Sequence, residues 1–491
     1  MPTVCLDVQS GSMDYIRAAR GNQESAVLRL YSPEGIRESH QVRSVNVRGN
    51  ATFGEEKMPL GISLEKEADL LGMGTAEKWV LLANAYDPSN LRNKIVLDFA
   101  AEFGLRYTPA CQWVDVYFNG EYAGLYLLAE KIEVHPQRVA LDPAAALLVS
   151  KEQSFNLEKK SAPYVTLDSG YTMRVHHTAL DTQALTQLLQ SAENAILAPD
   201  GYDPVTGKHW QELIDLDSWA RKYLLEEVFA NADAGYGSQF YYCDPTDGSG
   251  KLYAGPAWDY DNAMNHVPVR GLAHKPMARP GEETPWLVRL MEKEAFYDRV
   301  VQLYQQEFLP MLDALLEEGL DRYESRILPA AAMNQVRWSA ADQEGQTKVI
   351  RNYLTERGAF LKDLWTGETE YCWVSMYVPD YHGKVYARLP GEAYLNPTYW
   401  NTEDALGWYD PVSGEYVDIS QPVAGDIVLY MQYRQEPEQT VVQWIRASVS
   451  WLAPFGALLV LLLVLILRDI TLHKWERRSC HGAETRRKIS P

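Results

Sequence analysis

The sequence predicts an α+β protein: a β-rich N-terminal region that passes into helices, a small β-rich module, and one C-terminal transmembrane helix. Three observations carry this. Between Val4 and Leu128, short apolar or alternating runs are separated by Gly, Pro and Asn, which is the period-2 signature of strands joined by turns. Residues 285–365 change to helical spacing, with 286–291, 296–315 and 349–365 as the helical segments. Residues 447–467 contain no charged side chain and match the roughly 20 apolar residues that a bilayer core requires.

The 491 residues are more than one hydrophobic core usually serves, so more than one domain is expected. A hydrophobic content of 46% and an aromatic content of 11% supply packed cores, and 23% charged residues is not a disordered composition. The net charge of −20 argues against non-specific nucleic-acid binding, so no nucleic-acid partner is expected. The charge is uneven: from Arg468 onward seven Lys/Arg stand against three Asp/Glu, a net of +4 that leaves −24 for the rest. Trp444, Trp451 and Trp475 flank the apolar span, where interfacial aromatics belong. The positive-inside bias then makes 434–446 a polar linker, 447–467 the membrane span and 468–491 a basic cytoplasmic tail, with the large N-terminal part extracytoplasmic in a single-pass cell-membrane protein. Export needs a signal sequence. Met1-Pro-Thr-Val-Cys-Leu-Asp reads as the inside of a strand, so the signal is expected upstream, the alternative being an inverted topology. Cys5, Cys111, Cys243, Cys372 and Cys480 show no Cys-x-x-Cys or zinc spacing and read as isolated, mostly buried thiols, with one bridge left open.

In chain order, 4–8, 26–31, 44–47 and 60–64 read as strands, and 79–87 as a buried strand. Residues 90–103 form an amphipathic helix stopped by Gly104. Residues 112–118 and 122–128 are strands joined by Asn119-Gly120, the strongest two-residue hairpin signal. Helices follow at 180–197 and 219–230, then two strands joined by Asp244-Pro-Thr-Asp-Gly-Ser-Gly250.

The chemistry concentrates in Gly255-Pro-Ala-Trp-Asp-Tyr-Asp-Asn-Ala-Met-Asn265. Asp259 and Asp261 stand two apart behind the apolar-aromatic run 251–258. On a strand, residues i and i+2 face one side, and two carboxylates with amide and carbonyl oxygens beside them suit a hard cation such as Mg²⁺. A strand end followed by a solvated turn is the plainer alternative. Arg48-Gly-Asn-Ala-Thr-Phe-Gly54, followed by Lys57, is either an ordinary hairpin turn or a cover for phosphates.

Five blocks in order give the chain a likeness: Arg48-Gly-Asn-Ala-Thr, Trp79-x-Leu-Leu-Ala-Asn-x-x-Asp-Pro-Ser-x-Leu-Arg-Asn-Lys94, Asp115-x-Tyr-x-Asn-Gly-x-Tyr-x-Gly-x-Tyr-x-Leu-x-Glu130, Leu216-Asp-Ser218 with Asn231-x-Asp233, and Gly255-Pro-x-Trp-Asp-x-Asp261. Over residues 1–365 the sequence resembles the spore coat protein H (CotH) kinases, an atypical kinase-like family. The resemblance implies a bilobal, protein-kinase-like domain that transfers phosphate from ATP to Ser/Thr of a surface or spore-coat protein, with Mg²⁺ or Mn²⁺. It implies Asp233 as the catalytic aspartate near the attacking hydroxyl. Asp259 and Asp261 would hold the metal, with Ser238 where a typical kinase places its metal-binding Asn. Arg48, Asn50, Lys57, Glu130 and Ile132 would contact ATP, with Glu130-Lys-Ile132 as the hinge beside the adenine.

The chain departs from the family pattern on its basic side. Glu56-Lys-Met-Pro-Leu-Gly-Ile-Ser-Leu64 has Gly61 and Ser63 at the usual basic positions, leaving Lys57, with Lys66 or Lys94 as substitutes. Residues 145–152 also lack the family's usual run. The alternative is therefore a weak or inactive pseudokinase acting as a surface structural or adhesion protein. A metal-dependent hydrolase has less support, because His176-His177 and His266 are isolated. Residues 370–433 resemble an internalin-type B repeat, which implies a β-grasp-like spacer or adhesive module with Trp408 and Tyr430 in its core and a turn at 410–414.

Overall fold

A sheet that closes on itself organises the N-terminal region. The computed structural model describes residues 1–234, 237–266, 273, 285–339, 343–367, 369–378, 384–388, 390–394 and 405–434. Seven strands, β1 (Thr3–Val8), β2 (Glu24–Tyr31), β3 (Arg37–Val47), β4 (Leu60–Asp69), β5 (Thr75–Leu82), β6 (Cys111–Phe118) and β7 (Glu121–Glu130), form a barrel in the order β1-β2-β3-β4-β5-β7-β6. β1 closes it by pairing in parallel with β6, from Thr3↔Asp115 to Leu6↔Phe118. Alternate residues of each strand, among them Val4, Leu6, Leu28, Leu60, Ile62 and Trp79, fill the interior.

This corrects the expected bilobal, protein-kinase-like architecture. The N-terminal strands make a closed barrel because β1 returns to the far edge and satisfies the backbone groups that an open sheet would leave unpaired. The other barrel strands overlap the periodic reading with shifted bounds: β3 begins at Arg37 and not at 44, β4 runs on to Asp69, and β5 covers Thr75–Leu82 where 79–87 was expected. Asn119 and Gly120, both with positive φ (49° and 84°), make the expected tight β6–β7 turn. β7 loses the alternation because it is buried on both faces. Tyr126 and Leu128 enter the barrel, while Leu125, Leu127 and Ala129 join a second core.

That second core lies under the Arg92–Glu102 helix and a five-stranded sheet of order β12-β11-β8-β10-β9, built from β8 (Leu147–Glu152), β9 (Tyr164–Thr166), β10 (Thr172–Thr178), β11 (Gln239–Cys243) and β12 (Leu252–Ala254). The Thr182–Leu197 and Leu216–Phe229 helices pack into the same core. Asp215 caps the latter by accepting from the Ser218 N–H at 2.8 Å. From Glu294 to Trp338 the chain is continuously helical, with π turns at Tyr304–Phe308 and Leu315–Gly319, and Gln343–Thr366 follows. The first π turn precedes Pro310, whose missing N–H breaks the α-helical ladder there.

A further sheet has the order β14-β13-β17-β15-β16, built from β13 (Cys372–Tyr377), β14 (Lys384–Arg388), β15 (Ala405–Asp410), β16 (Glu415–Val417) and β17 (Ile427–Tyr433). The 410–414 turn forms as expected, with Gly414 N–H donating to the Asp410 carbonyl at 2.9 Å. Trp408 is buried (4% exposed), but Tyr430 is 41% exposed and stacks on Tyr377 instead of entering a core. The expected C-terminal transmembrane helix and the single-pass membrane location are also corrected: among the described residues no helix is long and apolar enough to cross a membrane. Residues 447–467, which carried that expectation, lie outside the described residues, as do most of the 434–446 linker and the 468–491 tail. Cys5, Cys111, Cys243 and Cys372 are free thiols, and Cys480 lies outside the described residues.

Lys57 is 8% exposed. Its ammonium donates to the Leu125 carbonyl at 2.7 Å and lies 5.1 Å over the Tyr126 ring. Burial pulls its pKa down to about 7, against a smaller upward pull from Asp87. Between that value and the ordinary lysine range, the unfolded chain holds a proton that the folded chain lacks. Raising pH through this window therefore favours the fold, and below about 7 the full cost of the buried charge is present. Lys57→Met is expected to gain stability relative to wild type at pH 7, with the difference in Tm shrinking towards pH 9.5. A pH-independent difference in thermal unfolding would contradict this.

Candidate active site

A cleft of about 1000 Å³ opens between the barrel and the β8–β11 sheet. Its barrel side comes from the end of β3, from β4 and β5, and from the Arg48–Thr52 turn. The opposite side carries Glu152, Arg174, His176 and Phe240, and Asp233, Ser238, Asp259, Asp261 and Asn262 line its acidic end.

The acidic loop is held from beneath. Tyr260 is fully buried; its hydroxyl donates to Glu226 Oε1 at 2.7 Å and accepts from Lys222 Nζ at 2.9 Å, and Lys222 also pairs with Glu226. The Tyr260 N–H donates to Asn93 Oδ1 at 2.8 Å. Arg92 Nε donates to the Ala263 carbonyl at 2.8 Å while Arg92 Nη1 pairs with Asp87 at 2.5 Å. The Asp-Pro-Ser-x-Leu-Arg-Asn block thus clamps the loop through Asp87, Arg92 and Asn93.

Asp259 and Asp261 do not reach the cleft by strand alternation. β12 ends at Ala254, and Asp259 has a left-handed φ of +71°. A non-glycine residue in that region carries local strain, which surrounding contacts must hold in place. Ser238, itself at φ +58°, donates from Oγ to Asp259 Oδ2 at 2.7 Å. Asn262 Nδ2 donates to Asp233 Oδ2 at 2.6 Å. Burial, followed by Asp259, Asp87 and Asp233, pushes the Asp261 carboxyl well above the usual range. These are hard oxygen donors with an excess of negative charge, which fits a divalent cation. Among the described residues no three His, Cys, Asp or Glu side chains form a ready ligand set. Two carboxylates completed by phosphate oxygens are the usual Mg²⁺ arrangement.

Of the other residues singled out from sequence, Arg48, Asn50 and Ile132 line the cleft. The Arg48 guanidinium lies 5.3 Å from the Trp258 ring centre. Arg20 donates to the Gly49 and Asn50 carbonyls at 2.6 and 2.7 Å, fixing the turn. Gly49 sits at φ +96°, and a Cβ there would lie 2.1 Å from Thr52 Oγ1, so the turn requires glycine. Lys57 and Glu130 do not belong to the cleft lining. Lys57 bonds the β7 backbone, and Glu130 accepts from Ala110 N–H at 2.8 Å and from Arg138 at 2.6 Å. Lys94 is no substitute, since it is not part of the cleft lining and pairs with Asp98 at 2.7 Å. Sequence reasoning left out Lys78 and Arg174, and it gave no role of their own to Asn93, Lys131 and Asn262, which lay inside stretches it had quoted. Asn262 follows Asp261 directly and Lys78 precedes the Trp79 block, so each adjoins a recognised residue.

The CotH kinase protein family description matches residues 45–361, well over half of the chain. The chain belongs to this family. Its likeness to the inner spore coat protein H of Bacillus subtilis (strain 168) is 26% identity over 303 residues, covering 58% of this chain and 77% of that protein. The CotH match spans the Arg-Gly-Asn turn, the Asp87–Arg92 clamp and the acidic loop. The internalin-type resemblance of the module after residue 370 has no counterpart in these matches.

Because its carboxyl is raised, Asp261 destabilises the metal-free fold as pH climbs above the ordinary carboxylate range. Asp261→Asn is expected to raise the metal-free Tm at pH 7 by a few °C, on the order of 1 kcal/mol, and to abolish stabilisation by added Mg²⁺ or Mn²⁺. A lower Tm with an unchanged metal response in thermal unfolding would contradict the assignment.

Proposed function

We propose that this protein is an ATP-dependent phosphotransferase that phosphorylates Ser/Thr hydroxyls of a protein substrate, with Mg²⁺ or Mn²⁺. The single observation that carries the reading is the convergence of Asp233, Asp259 and Asp261 at one end of a cleft large enough for a nucleotide. The family description and its kinase wording support it. Asp259 and Asp261 would hold the metal, with Ser238 fixing Asp259. The cation would supply charge neutralisation at the transferring phosphate. Asp233, oriented through Oδ2 by Asn262, would accept the hydroxyl proton on Oδ1. Because the similar Bacillus protein is named for the inner spore coat, a coat protein is the proposed substrate class.

One observation favours a second reading, a nucleotide-binding coat protein with little turnover. β4 presents Gly61 and Ser63 to the cleft, and Lys57 is spent on the barrel backbone.

The test is transfer from γ-labelled ATP to the chain itself or to a Ser/Thr-rich protein. Wild type is expected to transfer only with Mg²⁺ or Mn²⁺, and Asp233→Asn and Asp259→Ala to fall at least about 100-fold. Nucleotide-dependent thermal stabilisation without transfer would establish the second reading. Absence of both would overturn the two together.

A further inference from the structure

The acidic end of the cleft faces a group of four cations: Arg48, already expected to contact ATP, and Lys78, Lys131 and Arg174, to which the chemistry above gives no role. Lys78 lies on β5 across from Ser63 of β4, and Arg174 on β10 across from Ser150 of β8. Lys131 directly follows β7 and Arg48 directly follows β3. All four line the same cavity. They sense one another. The Lys131 pKa is lowered first by partial burial and then by Lys78, Arg48 and Arg174, with Glu133 opposing. That of Arg48 is lowered chiefly by burial, with Asp259 and Glu152 opposing and Arg174 adding to the fall. Glu133 accepts from Lys78 at 2.6 Å.

Arg48 adds an independent sign. Its Nη1 is buried and has no hydrogen-bond partner among the described residues. A buried guanidinium N–H without an acceptor is costly, and an anion entering the cleft would satisfy it. β4 cannot supply a cation at Gly61 without movement, since a Cβ there would lie 3.0 Å from Asn46 Oδ1. Carboxylates at one end and cations along the wall suit a polyanion that meets the cations directly and the carboxylates through a divalent metal. Phosphate chains have that chemistry.

We propose that Arg48, Lys78, Lys131 and Arg174 form the polyphosphate-binding wall of the site, replacing a cation on β4. The assignment to a nucleotide rests on the phosphotransferase reading above, and the test separates the two. Calorimetric titration of the full chain would use MgATP, adenosine and inorganic tripolyphosphate, each at low and high salt. In the Lys78→Ala/Lys131→Ala/Arg174→Ala variant, MgATP and tripolyphosphate are expected to bind at least about 100-fold more weakly, with a shallower salt dependence. Adenosine binding is expected to stay unchanged. Wild-type affinity for both phosphate ligands in the triple variant would overturn the wall while leaving the phosphotransferase reading intact. Loss of tripolyphosphate binding in the variant, where wild type binds it but not MgATP, would support the wall and sink the nucleotide. Wild type binding neither ligand would overturn both. If adenosine binding is lost as well, Lys78→Arg and Arg174→Lys decide: retained MgATP binding supports the wall, and its loss overturns it.

Discussion

The candidate site hangs from one buried ion pair, Asp87 with Arg92. Both side chains are fully buried, and Asp87 also accepts from the Ser89 and Arg92 N–H groups at 3.0 and 2.9 Å. The pair therefore fixes the path from β5 into the Arg92–Glu102 helix. The same guanidinium reaches the Ala263 carbonyl, and the neighbouring Asn93 takes the Tyr260 N–H. Removing one partner of a buried pair strands the other charge, at a cost of roughly 3–5 kcal/mol. Here that cost would fall on the acidic loop as well as on the helix start.

The loop so held is electrostatically unfavourable by itself. Asp261 is buried near Asp259, Asp87 and Asp233, and its carboxyl is raised for that reason. Asp259 and Ser238 both occupy left-handed backbone. Strain and like charge together persist only where the surroundings over-determine the geometry, and they concentrate at functional sites. Tyr260, locked between Glu226 and Lys222 below the loop, is part of that support.

Much of the fold was legible from local pattern. The tight turn at Asn119-Gly120 and the alternation of β1 and β2 are decided within a few residues, while the helix expected at 219–230 starts one turn earlier, at Leu216, because Asp215 is the residue that caps it. β8 and β10 were not read as strands, because β8 is buried throughout and shows no alternation. Barrel closure was also out of reach: β1 and β6 meet across more than a hundred residues, and no local signal specifies a parallel partner. The membrane reading rested on residues 447–467, outside the described part of the chain.

For the site, the sequence by itself determined the acidic half. Asp233, Asp259 and Asp261 were identified within ordered motifs, and all three line the cleft. Only the tertiary structure decided the basic half. Lys57 lies next to the glycine turn in sequence, yet its ammonium donates to the Leu125 carbonyl of β7. Lys78 and Lys131 come from neighbouring strands of the barrel and Arg174 from the second sheet, and they line one cleft because β5 pairs with β7 and β10 with β8. The physical reason is that a motif records which side chains lie close along the chain. Which cations share a cavity depends on strand register, and register is set by pairings between distant segments.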